Sequence, residues 1–260
     1  MMERFDLWVT KSVNAYAGQS VVLDQFIGQI CFYNSVKMLP IVAAFFALWL
    51  GAQKTGQGRR LFLQGIFGGF AALVASRLIQ NLGPNRPRPL YAISDFVVPI
   101  DRPADVLRDW GSFPSDTAAL SFALSFALWR ADRRLGAAAF AWSAVIVCFP
   151  RLYCGLHYMS DLLAGAMIGI VATILVGRWH RLTDFAIRVT ERAERRHATI
   201  FGIALVMLAY QFTTMFEDVR VLARRAQSMV TMVIEEEARP PRAAIGSENV
   251  LADQSHPGRP

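Results

Sequence analysis

Apolar residues in this chain gather into long unbroken runs rather than the short alternation of a half-buried strand. They lie at about Ser35–Gly51, Leu61–Gln80, Ser115–Trp129, Leu135–Phe149, Ser160–Trp179 and Ala198–Phe216. A helix crossing a bilayer needs roughly 17–25 such residues. The pattern therefore predicts an all-α polytopic membrane bundle with about six transmembrane helices. The runs Ser115–Trp129 and Leu135–Phe149 are short enough to be buried core helices instead. Gly65 with Gly69, and Gly165 with Gly169, form G-x-x-x-G steps that would let helix backbones approach closely, although a Gly-rich apolar chain also produces such pairs by chance.

The segment before the first run is broken by Lys11, Asn14, Gln19, Asp24, Gln25 and Gln29, and Glu3 and Asp6 stand where a signal peptide would be basic. Residues 1–34 are expected to form an amphipathic helix lying on the membrane surface. A polar, Pro-rich stretch, Asn81–Pro114, separates the second and third runs. Beyond Phe216, Val219, Leu222, Met229, Val230 and Val233 recur at helical spacing, with Arg220, Arg224 and Arg225 elsewhere on the turn. From Glu235 the chain has the composition of a disordered tail. The organisation expected is thus an interfacial segment (1–34), a helical bundle (35–216), and an amphipathic helix with a polar tail (217–260).

Composition agrees. Of 260 residues, 54% are hydrophobic and 18% charged, and mean hydropathy is +0.32, against roughly 45–50% and about 25% in soluble domains. Disordered, collagen-like and small secreted classes are excluded. The net charge of +7 would suggest nucleic acid in a soluble chain. In a membrane chain it reflects Arg-rich cytoplasmic loops, so no nucleic-acid partner is expected. Lys54, Arg59, Arg60, Arg130, Arg133, Arg134 and the basic run from Arg178 to Arg196 lie on one side by this reading. The loops holding Arg86, Arg88, Arg102, Arg108 and Arg151 lie on the other, where Asp95, Asp101, Asp105 and Asp109 offset the charge. The positive-inside rule then turns the Pro-rich loop and the Arg151 segment outward, toward the periplasm or exterior of an inner (plasma) membrane. Cys31, Cys148 and Cys154 offer no disulfide framework or zinc spacing.

Two outward segments carry unusual chemistry. Asn85-Arg-Pro-Arg-Pro89 and Ser112-Phe-Pro-Ser-Asp-Thr117 make up one, and Pro150-Arg-Leu-Tyr-Cys-Gly-Leu-His-Tyr-Met-Ser-Asp161 is the other. They bring Arg86, Arg88, Arg151, Ser115, His157 and Asp161 to neighbouring helix ends. Guanidinium groups bind phosphate through forked, charge-assisted hydrogen bonds. Ser115 and Asp116 open an apolar helix, whose free N–H groups and dipole favour an anion. His157 and Asp161 are four apart, which places them on one helix face, where a carboxylate can fix the imidazole tautomer and leave the other nitrogen to attack. Each feature has a plainer explanation: Arg-Pro-Arg-Pro as a solvated turn, Ser115 as an N-cap, the histidine as a structural group. Their convergence on one face is what favours a site. His180, His197 and His256 fall in the Arg-rich loop and the tail and are assigned no role.

These segments resemble the three signature motifs of the type-2 phosphatidic acid phosphatase superfamily, Lys-x6-Arg-Pro, Pro-Ser-Gly-His and Ser-Arg-x5-His-x3-Asp. The third matches at Arg151, His157 and Asp161, with Pro150 in place of its Ser. The first matches at Arg88-Pro89, with Asn81 where Lys is expected. The second matches at Pro114-Ser115, with Asp116 for Gly and Thr117 for His. The layout is similar to bacterial undecaprenyl-diphosphate phosphatases of the bacitracin-resistance type.

The resemblance implies His157 as the nucleophile and Asp161 as the group orienting it. It implies Arg88, Arg151 and Ser115 on the phosphate oxygens, Arg86 as an accessory, and Asn81, Asp116 and Thr117 as further substrate-binding positions. It implies no metal and no cofactor, and a phosphorylated lipid within the membrane as the partner. Thr117 stands where the family's proton donor to the leaving group is expected. Losing general-acid catalysis costs on the order of 10²–10⁴-fold. An alcohol leaving group feels that loss far more than a phosphate one, so the expected substrate is an isoprenoid-lipid diphosphate, cleaved through a phosphohistidine. Lipid phosphotransfer, or phospholipid binding without efficient hydrolysis, are the alternatives. Oligomeric state is left open.

Overall fold

The computed structural model describes residues 2–51, 57–83, 85–99 and 111–217. All the regular structure among them is helical. Two helices open the chain, α1 (Met2–Asn14) and α2 (Val21–Phe32), followed by α3 (Asn34–Gly51) and α4 (Gln57–Leu82). A single turn, α5 (Pro89–Ala92), precedes α6 (Asp116–Ala131). Then α7 (Arg133–Trp142), a π-helical stretch (Ser143–Cys148) and α8 (Phe149–Tyr153) follow without a break. α9 (Met159–Arg178), α10 (His180–Arg196) and α11 (Ala198–Thr213) complete the set. These helices form one compact unit, Met1–Phe216. A second unit begins at Glu217; the expected C-terminal helix and tail fall at 218–260, outside the described residues.

Each of the six apolar runs is helical. Asn34–Gly51, Gln57–Leu82, Arg133–Tyr153 and Met159–Arg178 are long and apolar enough to cross a membrane. α6 and α11, at 16 residues each, are shorter. α6 is the core helix of the bundle, packed by α3, α4, α7 and α9 and buried along nearly its whole length. In lipid there is little hydrophobic gain from helix association, so packing must come from close fit and small polar contacts. Both are present. The Ser125 and Ser143 hydroxyls meet at 3.0 Å, and Thr173 Oγ1 of α9 reaches the Ala123 carbonyl of α6 at 3.5 Å.

The α6–α9 contact sets the site. A Cβ on Gly165 would strike the Ser115 carbonyl oxygen, and one on Gly169 would strike that of Ala119. Only hydrogen at both positions lets α9 seat directly on the backbone of α6. The seat brings the N-termini of the two helices together, and Ser115 N donates to the Asp161 carbonyl at 3.0 Å.

The N-terminal segment is amphipathic with its polar face turned inward. Asp6, Thr10 and Asn14, spaced one helical turn apart, are 1%, 0% and 8% exposed, while Phe5 and Trp8 are open at 46% and 67%. Asn14 closes a two-way bond with Val97, its amide donating to the carbonyl at 2.7 Å and its oxygen accepting from Val97 N at 2.9 Å.

Candidate active site

His157 sits in the turn between α8 and α9. Pro150 has no N–H to offer, and the wider turn ahead of it passes the Phe149 N–H to the Ala144 carbonyl, five residues back. Past α8 the Arg151 carbonyl accepts from Leu156 N (2.9 Å) and His157 N (3.4 Å). This closes a turn in which Gly155 takes φ +67°, a conformation other residues adopt at a cost. The imidazole is 1% exposed.

Its Nδ1 lies 2.8 Å from the Ser112 carbonyl oxygen. A carbonyl only accepts, so Nδ1 carries the proton of the neutral ring and Nε2 presents a lone pair. Burial, helped by the nearby Arg88 and Arg151 charges, pushes the His157 pKa down to about 4, against the opposing pull of Asp161. The ring is neutral at physiological pH.

Asp161 is fully buried. One oxygen accepts from Arg86 Nη1 at 2.5 Å and the other from Tyr158 N at 2.8 Å. The latter oxygen stands 3.8 Å from His157 Nδ1, too far for a hydrogen bond. The carboxylate thus acts on the ring through its charge, and the Ser112 carbonyl fixes the tautomer.

The cations divide into two groups. Arg88, 5% exposed, donates Nη1 to the Leu156 carbonyl at 2.7 Å and Nη2 to the Gly111 carbonyl at 3.4 Å. Burial and the Arg151 charge lower its pKa to about 10, which leaves it charged. Arg86 spends its fork on protein groups. Nη1 reaches Ser160 Oγ (2.8 Å) as well as Asp161, and Nη2 reaches Asp6 (2.7 Å), with the guanidinium 4.0 Å over the Tyr158 ring. Four buried polar atoms around the histidine have no hydrogen-bond partner among the described residues: Arg88 Nε, Arg151 Nε, Ser112 Oγ and His157 Nε2. Three can donate and the fourth, His157 Nε2, carries a lone pair. Burying such atoms unpaired is costly, and an oxyanion such as phosphate would satisfy the donors.

Ser115 caps α6, its Oγ accepting from Ala118 N at 3.4 Å, and is fully buried. Asp116 accepts from Arg77 Nη2 at 2.5 Å and from the Thr117 hydroxyl at 3.3 Å. Gln80 donates to the Pro114 carbonyl at 2.6 Å. Asn81, at the exposed end of α4, has no side-chain hydrogen bond to this cluster among the described residues. Arg77, a turn earlier on the same helix, brings a positive charge to it. Sequence reasoning did not single out Asp6, Arg77, Gln80 or Ser112, since none belongs to a motif that marks it. No group of His, Cys, Asp and Glu among the described residues has the makings of a metal site.

Residues 81–184 match the family model described as the PAP2 superfamily, and every motif position above falls within that range. The chain carries a PAP2 superfamily domain. Undecaprenyl-diphosphatase BcrC of Bacillus subtilis (strain 168) is 29% identical over 191 residues, covering 70% of this chain and 90% of the relative. Lipid A 1-diphosphate synthase of Escherichia coli (strain K12) is 26% identical over 167 residues, 60% of this chain and 66% of the relative. The crystal structure of Aquifex aeolicus LpxE superposes with a TM-score of 0.50 at 22% identity, over 66% of this chain and 94% of that one, which shows a shared fold. Alongside these likenesses, the described residues hold four helices long and apolar enough to cross a membrane.

Proposed function

We propose that the protein is an integral-membrane phosphatase that cleaves an isoprenoid-lipid diphosphate through a phosphohistidine. The observation that carries the reading is the set of unpaired buried atoms on Arg88, Arg151 and Ser112 beside the lone pair of His157. His157 Nε2 attacks the terminal phosphorus, the N–P bond forms, and the P–O bond to the lipid monophosphate breaks. Arg88 and Arg151 hold the oxygens and offset the charge that builds on the transferring group. Asp161 balances the positive charge the ring acquires. Water then attacks phosphorus, the N–P bond breaks, inorganic phosphate leaves, and the histidine returns neutral.

Thr117 supports a diphosphate. Its hydroxyl cannot protonate an alkoxide efficiently, and a phosphate leaving group has little need of that proton. The names of two relatives point the same way: one is a diphosphatase of undecaprenyl diphosphate, and the other a synthase of a lipid diphosphate. The second name also favours a variant reading, in which a lipid hydroxyl or phosphate takes the phosphoryl group in place of water. Radiolabel from a terminally labelled donor discriminates, appearing as free phosphate in the first case and on a lipid in the second. Phosphate release from polyprenyl diphosphate by the purified protein, compared with His157→Ala, tests the main reading; equal rates would sink it.

The site end of the bundle is proposed to face the periplasm or exterior. Ser94 and Ala131 are both exposed, at opposite ends. A cysteine at Ser94 should react with an impermeant thiol reagent in intact cells, the outer membrane permeabilised where there is one. A cysteine at Ala131 should not, and the reverse labelling would place the chemistry in the cytoplasm.

A further inference from the structure

Asp6 lies far in sequence from every motif and outside the family match at 81–184, yet it is 1% exposed and bound into the site. One oxygen accepts from Ser160 N at 2.9 Å; the other accepts from Ser160 Oγ at 2.5 Å and from Arg86 Nη2 at 2.7 Å. Ser160 Oγ in turn accepts from Arg86 Nη1 at 2.8 Å. Asp6, Ser160 and Arg86 thus close a ring whose remaining bond, from Arg86 Nη1, goes to Asp161 at 2.5 Å.

A carboxylate buried for stability alone is a poor device, because its desolvation offsets much of what its pairing gives back. The rest of α1 is already fastened, by Lys11 to Asp95 at 3.0 Å and by the two-way bond of Asn14 to Val97. The ring does something neither clasp can do: it occupies both terminal amines of Arg86, so that only one of them bears on Asp161. The oxygen of Asp161 nearest His157 stays clear of the guanidinium. Released from Asp6, Arg86 would turn its fork onto both oxygens, the favoured geometry for an Arg–carboxylate pair. That would neutralise the charge facing the histidine when it is needed.

We propose that Asp6 is a positioning residue of the active site: through Arg86 it holds Asp161 so that the oxygen facing His157, which accepts from Tyr158 N, stays clear of the guanidinium and keeps its charge for the cationic phosphohistidine ring. This rests on the phosphatase reading above. The N-terminal helix is then a working part of the site as well as its cover.

The test is a double-mutant cycle on the full chain in detergent, with polyprenyl diphosphate as substrate and folded protein matched by size-exclusion chromatography. Asp6→Asn keeps the shape and an acceptor for Ser160 but removes the charge. It should lower kcat by about 10- to 100-fold, the scale of a displaced catalytic geometry, with KM changed less than about threefold. In an Arg86→Gln background the same substitution should cost less than about twofold, because coupled residues are non-additive. Lys11→Ala, which loosens the helix elsewhere, should leave kcat unchanged. An equal cost in both backgrounds would overturn the inference, as would a loss shared by Lys11→Ala. Failure of Asp6→Asn to fold while Arg86→Gln folds would also overturn it, since the aspartate would then be holding helices. A parent without His157-dependent turnover overturns the phosphatase reading and this inference with it; a parent that turns over and ignores Asp6→Asn overturns the inference alone.

Discussion

The two sides of the candidate site are built on opposite plans. Around His157, three buried donors have no hydrogen-bond partner among the described residues: Arg88 Nε, Arg151 Nε and Ser112 Oγ. Around Thr117, contacts are closed: its hydroxyl goes to Asp116, Asp116 takes Arg77, and Gln80 takes the Pro114 carbonyl. The first arrangement has the polar groups an incoming phosphate needs. The second provides a neutral hydroxyl and an ion pair where an alkoxide would need an acid. On the proposed reading, nucleophile and phosphate-binding groups are complete while leaving-group assistance is not, and a phosphate leaving group would make up the difference.

The largest test of this contrast removes the nucleophile. His157→Ala is expected to lower turnover by on the order of 10⁴-fold or more and to abolish acid-labile phosphorylation of the protein, followed with labelled substrate. Next, Arg88→Ala or Arg151→Ala should cost about 10²–10³-fold in kcat/KM. Lysine at either position should recover part of that, since it restores charge without the fork. Both losses should be similar for monoester and diphosphate substrates. On the other side the expectation is selective. Thr117→His should raise the ratio of alkyl-monoester to diphosphate rates by about tenfold or more, a ratio unaffected by loss of folded protein; an unchanged ratio would count against the leaving-group argument. The smallest effect is with pH. Attack requires neutral His157, whose pKa burial lowers to about 4. Falling pH should therefore leave kcat/KM free of a histidine step between pH 8 and 5, with the acid limb near pH 4. A limb near 6.5 would mean an exposed ring.

Much of this was legible in the sequence. Long apolar runs mark helices by length alone, and the i,i+4 spacing of His157 and Asp161 anticipated their proximity. Only Asp161 lies on α9, however, because the chain turns at Gly155 and His157 precedes the helix instead of sharing its face. The Gly165–Gly169 step anticipated a close helix contact without naming the partner, because periodicity says which face is small and not what meets it. Three features had no local signature. The orienting acceptor of His157 is the backbone carbonyl of Ser112, and every residue has such a group. Arg77 reaches the cluster from a helix face that hydrophobic patterning labels only as a span. Asp6 looked like a charge on a surface helix. Counting residues reveals that a helix is two-faced but not which side the protein covers, and here the polar stripe of Asp6, Thr10 and Asn14 is the covered one.

The seat of α9 on α6 also behaves as a fulcrum. Gly169 is eight residues from Asp161, about 12 Å along the helix axis. A methyl group at Gly169 would meet the Ala119 carbonyl and tip α9 about that point, moving Asp161 and the turn before it relative to Ser115. Small changes deep in the bundle are thereby converted into misalignment at its end. Loss of activity together with lowered stability is then the expected signature of substitutions far from any phosphate, and a screen for inactive variants should find them along this seam as well as among the arginines.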